Sequence, residues 1–231
     1  MAGKLYGIGI GPGDPGLLTL KAKEILDRTG TIVCPVKKEG EASTALEIVR
    51  KAVNISGKRI VPLVFAMEGG REQFEECGRK AGDVLMDILS KGEDAAVITL
   101  GDVSVYSTYM YLDGYVSSKG FETEIIPGVT SFSYAAALAK IPLMLGDEGL
   151  AVITPKGRSI EHALEGFENI VVMKSGKHMK EMSAAMTARG IPHENAVVVS
   201  RAGMEGQHIG VIDERREFNY FTTTIIKKVM R

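Results

Sequence analysis

YGIGIGPGDPGLLTL, residues 6–20, forms the first structural unit of the chain. It runs from a short apolar strand through a turn rich in glycine and proline into a helix. A chain that opens in this way builds the first strand–loop–helix unit of an α/β domain. The spacing Gly11-x-Gly13-x-x-Gly16 formally matches the dinucleotide fingerprint, in which bare backbone N–H groups and a helix N-terminus face a pyrophosphate.

The residues between these glycines argue against a dinucleotide. Pro12 and Pro15 remove two backbone donors, and Asp14 puts a negative charge where the phosphates would lie. The second predicted strand, residues 31–35, ends in Cys34 and Pro35 rather than in an acidic ribose ligand. The turn therefore suits a partner that is not a phosphate, or it is only a tight turn.

Composition excludes several classes of protein. The 231 residues are 45% hydrophobic, with no apolar run long enough to cross a bilayer, so we expect a globular protein with no membrane partner. A net charge of −1 provides no general attraction for nucleic acid. The N-terminus lacks a signal-peptide core and the two cysteines make no disulfide framework, which predicts a cytoplasmic protein. Four histidines without a close pair predict no metal site built by the protein.

The first half of the chain alternates predicted helices and strands. The helices are expected at residues 17–28, 42–53, 68–91 and 104–118, and the strands after the first at 31–35, 59–64 and 95–100. Gly78 and Gly82 are expected to weaken or bend the third helix. Residues 95–100 form a near-continuous apolar run typical of a buried parallel strand. Ligands of open α/β sheets bind where such strands end, which draws attention to the residues from Gly101 onward.

The second half reads differently. Strands are predicted at 149–154, 169–174, 195–200, 206–211 and 222–229, and helices near 159–164 and 178–189. The last strands lack intervening helices, which indicates a mixed, partly antiparallel sheet. The predicted fold class is therefore α/β in two domains. Residues 1–118 carry a mostly parallel sheet, residues 119–231 carry a mixed sheet with flanking helices, and the active-site cleft is expected between them.

Several ordered motifs carry a family resemblance. They are residues 9–15 with Leu18-Thr19, Leu100-Gly101-Asp102 with Tyr106-Ser107-Thr108, residues 126–131, Ile141-Pro142-Leu143 before Gly146-Asp147-Glu148, and Val171-Val172-Met173-Lys174. With these motifs in order over its whole length, the chain resembles the tetrapyrrole (corrin/porphyrin) methylase family. Tyr-Ser-Thr after Gly-Asp, residues 64–67, and Gly-Asp-Glu before a strand resemble its precorrin-2 (cobalt-factor II) C20-methyltransferase branch. Many relatives have proline where this chain has Val103, so the strand-end turn is expected to be less rigid.

The resemblance implies an activity. Members of the family are two-domain homodimers that hold S-adenosylmethionine and methylate a ring carbon of a tetrapyrrole, with alignment of the reacting atoms as the main demand. For the C20 branch the acceptor is precorrin-2 or its cobalt complex in cobalamin biosynthesis, and both forms remain open. The alternatives are another methyltransferase of the family, of C11 or diphthine type, or a non-catalytic corrinoid-binding protein.

The resemblance also assigns cofactor contacts. The residues it implies are Pro12, Leu100, Gly101, Asp102, Val105, Tyr106, Thr130, Ser131, Met173 and Ala202. Each group has a simpler reading, because Gly101 and Asp102 also suit a turn with a helix cap, Thr130 and Ser131 suit helix caps, and Met173 suits a core. Asp102 is the catalytic candidate, either to orient the substrate or to accept a proton.

Basic residues are expected to face the carboxylates of such a substrate. The candidates at predicted strand ends or loops are Lys156, Arg158, Lys174, Lys177 and Arg201, each of which also suits a solvated surface. Lys37 and Lys38 are explained either by a solvated loop or by an anion contact.

Overall fold

The computed structural model describes residues 1–65, 71–155 and 160–229, and the chain divides into two compact units, Met1–Thr130 and Ser131–Arg231. The described elements of the first unit are β1 (Leu5–Gly9), a short 3-10 helix (Pro15–Leu17), α1 (Leu20–Arg28), β2 (Thr31–Val36), α2 (Thr44–Arg50), β3 (Arg59–Val64), α3 (Arg71–Ser90), β4 (Ala95–Thr99), α4 (Tyr109–Ser118) and β5 (Thr123–Ile126).

The sheet of the first unit has the strand order β3-β2-β4-β1-β5, and every pairing in it is parallel. The predicted mostly parallel sheet is confirmed. The central strands β1 and β4 are buried along almost their whole length, as expected for parallel strands covered on both faces. The chain leaves β1 toward β2 and leaves the adjacent β4 toward β5, in opposite directions. This reversal makes the carboxyl ends of β1 and β4 a topological switch point, where open α/β sheets bind ligands.

Helix α3 runs unbroken from Arg71 to Ser90, although its two glycines were expected to weaken or bend it. Both glycines lie against α4. A Cβ atom on Gly78 would be 3.1 Å from the Tyr111 backbone, and one on Gly82 would be 2.5 Å from the Tyr115 ring. The glycines therefore allow close approach of two helices, and this packing offsets their low helix propensity.

Helix α4 begins at Tyr109, later than the predicted start at residue 104. The backbone N–H of Ser104 is held by the side chain of Asp102, and Tyr106 has a φ of 49°, which lies outside the right-handed helical region. Tyr109 itself is buried, and its ring packs against Gly7, where an added Cβ atom would lie only 2.2 Å away. The residues between β4 and α4 are therefore a structured loop.

The described elements of the second unit are α5 (Ser131–Ala139), β6 (Leu150–Ile153), α6 (Ile160–Gly166), β7 (Asn169–Met173), α7 (Met179–Thr187), a short 3-10 helix (His193–Asn195), β8 (Ala196–Ser200), β9 (His208–Val211) and β10 (Thr222–Lys227). Its sheet has the order β6-β7-β10-β8-β9; only β6 and β7 pair in parallel. The predicted mixed sheet is confirmed. Residues of α6 and α7 pack on one face and those of α5 on the other.

The division between the units falls later than the predicted boundary after residue 118. Strand β5, which the prediction assigned to the C-terminal domain, pairs with β1 from Leu5↔Thr123 to Ile8↔Ile126. Its pairing places it in the first unit, which ends at Thr130. Strand membership depends on pairing with a distant part of the chain, which local sequence patterns do not show.

Buried Lys227 gives two of the ordered motifs in the second unit a structural role. It is 3% exposed, and its ammonium donates to Pro142 O at 3.0 Å and to Asn169 Oδ1 at 2.6 Å, with Glu148 Oε2 at 3.8 Å. These contacts fasten the segment after α5 to the ends of β7 and β10. Because a buried ammonium needs such partners, Pro142 and Glu148 have a structural role here.

Candidate active site

Three loops meet at the carboxyl edge of the first sheet: residues 10–19 after β1, 100–108 after β4, and 127–130 after β5, together called the strand-end loops. Gly11 and Gly101 exchange backbone hydrogen bonds of 3.2 and 2.8 Å. A Cβ atom on Gly9 would lie 2.6 Å from Gly128 N, and one on Gly128 would lie 2.3 Å from Gly101 O. The loops therefore touch backbone to backbone, which only glycine permits.

Asp102 ties two of these loops together. Its Oδ1 accepts hydrogen bonds from the Ser104 N–H at 2.8 Å and from the Ser104 hydroxyl, and its Oδ2 accepts one from the Gly128 N–H at 2.8 Å. The residue is 8% exposed. It does not cap α4, whose N-cap is Thr108. Oδ2 thus joins the loop after β4 to the loop after β5, and Oδ1 stabilises the turn of its own loop. Both are positioning roles.

The pKa of Asp102 lies below its ordinary value. Burial raises it, but the hydrogen bonds from the Ser104 hydroxyl and from the backbone N–H groups of Gly128, Ser104 and Val103 stabilise the carboxylate and together outweigh burial. A carboxylate with a lowered pKa and with both oxygens engaged is a weak proton acceptor. The geometry thus argues against the proton-acceptor alternative, and the orientation of a substrate by this residue stays a prediction.

Val103 anchors the turn after β4. Its side chain is fully buried and packs in the core cluster that includes Val33, Phe65 and Leu112. Next to it, Ser107 Oγ accepts a hydrogen bond from the Tyr109 N–H at 3.1 Å. Burial of this apolar side chain thus holds the turn.

Hydrogen bonds within the protein occupy backbone N–H groups of the first loop that a bound dinucleotide would need. Asp14 Oδ1 accepts a hydrogen bond from the Gly16 N–H at 2.8 Å, and the Gly11 N–H donates to Gly101 O. These are donors that a pyrophosphate would require. The prediction that this turn binds no phosphate therefore has a structural basis.

The charge of the strand-end loops indicates what they suit. Residues 10–19, 100–108 and 127–130 include Asp14 and Asp102 but no Lys, Arg or His. Leu100 and Val105 are half-buried, and Tyr106 is 48% exposed. This apolar, aromatic and negatively biased set fits a cationic organic ligand such as a sulfonium and does not fit a phosphate. Among the described residues, no group of three or more His, Cys, Asp or Glu side chains is placed to hold a metal ion.

The predicted site residues fall into two groups. Leu100, Gly101, Asp102, Val105, Tyr106, Pro12 and Thr130 all lie in the strand-end loops of the first unit. Pro12, expected to approach the cofactor, is buried within its loop.

The remaining three belong to the second unit. Ser131 is the first residue of α5, and Met173 and Ala202 pack against the buried cluster beside that helix. The core reading of Met173 therefore has support. Lys177 is exposed, and Lys174 and Arg201 directly follow β7 and β8. Lys156 and Arg158 lie outside the described residues.

Three residues that shape the site were not among the predicted contacts. Gly9 and Gly128 permit the backbone contacts, and Ser104 supplies two of the hydrogen bonds to Asp102. The Pro127-Gly128 pair was a visible turn signal. Nothing local indicated that Gly128 donates to a carboxylate 26 residues earlier.

Fold and site together define the class: an α/β protein whose switch-point loops suit a cationic organic cofactor. The family model of the tetrapyrrole (corrin/porphyrin) methylases matches residues 4–215, and the chain belongs to this family.

Two relatives match nearly the whole chain. A probable cobalt-precorrin-2 C(20)-methyltransferase of Methanocaldococcus jannaschii is 36% identical, covering 99% of this chain and 97% of its own length. A cobalt-precorrin-2 C(20)-methyltransferase of Salmonella typhimurium is 31% identical, covering 99% and 98%.

Solved structures share the fold. A cobalt precorrin-4 methyltransferase superposes with a TM-score of 0.75 at 20% identity, covering 97% of this chain and 94% of its own. A uroporphyrin-III C-methyltransferase from Thermus thermophilus, complexed with S-adenosyl homocysteine, superposes with a TM-score of 0.73 at 18% identity, covering 99% and 94%. The predicted fold is confirmed.

Within the described residues, no helix has the length and apolar character needed to cross a membrane.

Proposed function

We propose that this protein transfers a methyl group from S-adenosylmethionine to C20 of precorrin-2 in its cobalt-containing form, as a step of cobalamin biosynthesis. The observation that carries the proposal is the end-to-end match, at 36% and 31% identity, to two relatives named for this reaction. A precorrin-2 C(20)-methyltransferase of Sinorhizobium is 28% identical over 97% of this chain, so the cobalt form has the stronger support.

The strand-end loops support the cofactor assignment. When bound, the sulfonium of the cofactor supplies an electrophilic methyl group. Leu100, Val105 and Tyr106 would offer it apolar and aromatic contacts, and Gly101 would offer peptide groups. Asp102 contributes the negative charge near by. The predicted contacts of Ser131, Met173 and Ala202 with the same cofactor are part of the proposal, and the placement of the site between two domains stays a prediction.

The chain's own residues would act mainly by alignment. The glycine contacts and the Asp102 hydrogen bonds hold three loops in one arrangement, so a ligand bound there meets a rigid surface. Asp102 keeps its carboxylate engaged with Ser104 and Gly128 and thus does not take a proton from the ring. A nucleophilic ring carbon requires little more than this positioning and the exclusion of water.

The choice of acceptor leads to a direct prediction. We expect purified protein with S-adenosylmethionine to add one methyl group to cobalt-containing precorrin-2, and to do so faster than to metal-free precorrin-2. Mass spectrometry of the product, with a reaction lacking S-adenosylmethionine as control, measures both. Faster turnover of the metal-free ring would contradict the cobalt assignment. Methylation only of a C11 or diphthine acceptor would show that the chain is another methyltransferase of the family. Failure to bind S-adenosylmethionine in calorimetry would instead support a non-catalytic corrinoid-binding protein.

We also propose a cytoplasmic homodimer, on the resemblance to the family. Light scattering at micromolar concentration is expected to give twice the mass of one chain. A monomeric mass across that range would contradict it.

A further inference from the structure

The carboxyl ends of β7 and β8 carry two basic residues in an unusual backbone conformation. Lys174 follows β7 with a φ of 58°, and Arg201 follows β8 with a φ of 55°. Non-glycine residues in this left-handed region are strained, and such residues cluster at binding sites. Of the four such residues in the described chain, a third, Tyr106, lies in the strand-end loops.

The two basic residues flank the same strand. β10 lies between β7 and β8 and runs antiparallel to both. The Ser175 N–H donates to Thr222 O at 3.0 Å, and the Arg201 N–H donates to Phe221 O at 2.8 Å, so both strand ends are fixed to the start of β10. Neighbouring strands lie about 4.8 Å apart, which places the backbones of Lys174 and Arg201 about 10 Å apart at one edge.

A row of buried hydroxyl groups supports this edge. Ser175 Oγ and Thr224 Oγ1 are 2.9 Å apart, and Thr222 Oγ1 donates to Ser200 Oγ at 3.0 Å. All four side chains are almost completely buried. Because these bonds join β7, β10 and β8, the backbone bearing the two basic residues is over-determined, which is the condition under which strained residues persist.

The side chains suit an anion. The Lys174 ammonium lies over the Tyr220 ring, 5.1 Å from its centroid, and burial lowers the pKa of this lysine. An anion beside the ammonium would favour its charged form. The Arg201 Nε donates to Glu205 O at 2.5 Å, which orients the guanidinium, and within the described residues its two terminal nitrogens form no hydrogen bond.

We propose that Lys174 and Arg201 form a clamp that holds two separate carboxylates of one polyanionic tetrapyrrole. Backbones about 10 Å apart give each basic side chain its own attachment point at this edge, so the two can bind different carboxylates of one ring. The inference rests on the proposed function, since an acidic tetrapyrrole is what supplies the carboxylates. The clamp contains two of the five basic residues that the sequence analysis named as candidates, and its role is to recognise the substrate.

The test uses uroporphyrin, an unreactive tetrapyrrole with eight carboxylates, titrated by absorbance against full-length protein. Lys174→Met and Arg201→Met are each expected to weaken binding about tenfold or more and to reduce its dependence on salt. The charge-preserving Lys174→Arg and Arg201→Lys are expected to retain most of the affinity. Lys180→Met, an exposed lysine on α7, is the matched control and should bind like the wild type.

Equal affinity of the Met variants and the control would overturn the clamp, as would Lys174→Arg binding as weakly as Lys174→Met. Affinity for S-adenosylhomocysteine, measured separately by calorimetry, should not change in any variant. If the wild type binds uroporphyrin through these residues but neither binds S-adenosylhomocysteine nor methylates precorrin-2, the proposed function fails while the clamp stands.

Discussion

Replacing Gly128 with alanine is expected to weaken cofactor binding by about 10- to 100-fold. The new Cβ atom would lie 2.3 Å from Gly101 O and 2.7 Å from Gly9 C, so the loops after β1 and β4 must move away. Overpacking of this kind costs about 1–3 kcal/mol. Cofactor binding would have to restore the original arrangement against that strain, and each 1.4 kcal/mol is a tenfold change in affinity. Calorimetry with S-adenosylhomocysteine measures the loss.

Gly114→Ala provides the matched control. Gly114 is exposed on α4, and a Cβ atom there meets nothing within 4 Å. The same substitution should therefore raise helix stability by up to about 1 kcal/mol and leave cofactor affinity unchanged. Thermal unfolding of both variants separates loss of the site from loss of the fold. A folded Gly128→Ala protein with wild-type affinity would show that the strand-end loops do not bind the cofactor.

Replacing Asp102 with asparagine is expected to destabilise the protein by about 1–3 kcal/mol at neutral pH while lowering the methyl-transfer rate only moderately. The amide would turn an NH₂ donor toward either the Gly128 N–H or the Ser104 donors, leaving a partly buried donor without its acceptor. Removal of a general base typically costs about 10²–10⁴-fold in rate. We expect less than this range, because the carboxylate acts on the loops. Single-turnover methyl transfer with saturating cofactor measures it.

The pH dependence of stability supplies a second measurement on this variant. Because folding lowers the pKa of Asp102, the stabilisation is complete above the ordinary carboxyl value of 3.8 and is lost as the pH falls through the folded value. The difference between wild type and Asp102→Asn in urea unfolding should therefore shrink only below that value. Asp87→Asn, which removes an exposed ion pair with Lys91, should change stability little at any pH. Near-total loss of rate in Asp102→Asn with cofactor still bound would identify Asp102 as a proton acceptor.

Local patterns in the sequence were enough to predict the class of fold. The strand–turn–helix of residues 6–20, the apolar run of β4 and the absence of helices between the last strands predicted a parallel sheet followed by a mixed one. These are local patterns of hydrophobicity and turn chemistry, and they survive folding because they reflect which faces must be buried. The prolines and Asp14 in the first turn likewise argued against a dinucleotide before any distance was known. The ordered motifs predicted the family.

How these pieces act together became visible only in the folded chain. Strand β5 belongs to the first unit because it pairs with β1, and the glycines of α3 serve close packing because α4 lies against them. Asp102 became a link between loops because Gly128 donates to it from 26 residues away. Lys174 and Arg201 are 27 positions apart in the sequence, and they lie at the same sheet edge because β10, from further along the chain, pairs with both of their strands. Each of these depends on contacts between residues distant in the chain, which hydrophobic periodicity and local propensity do not encode.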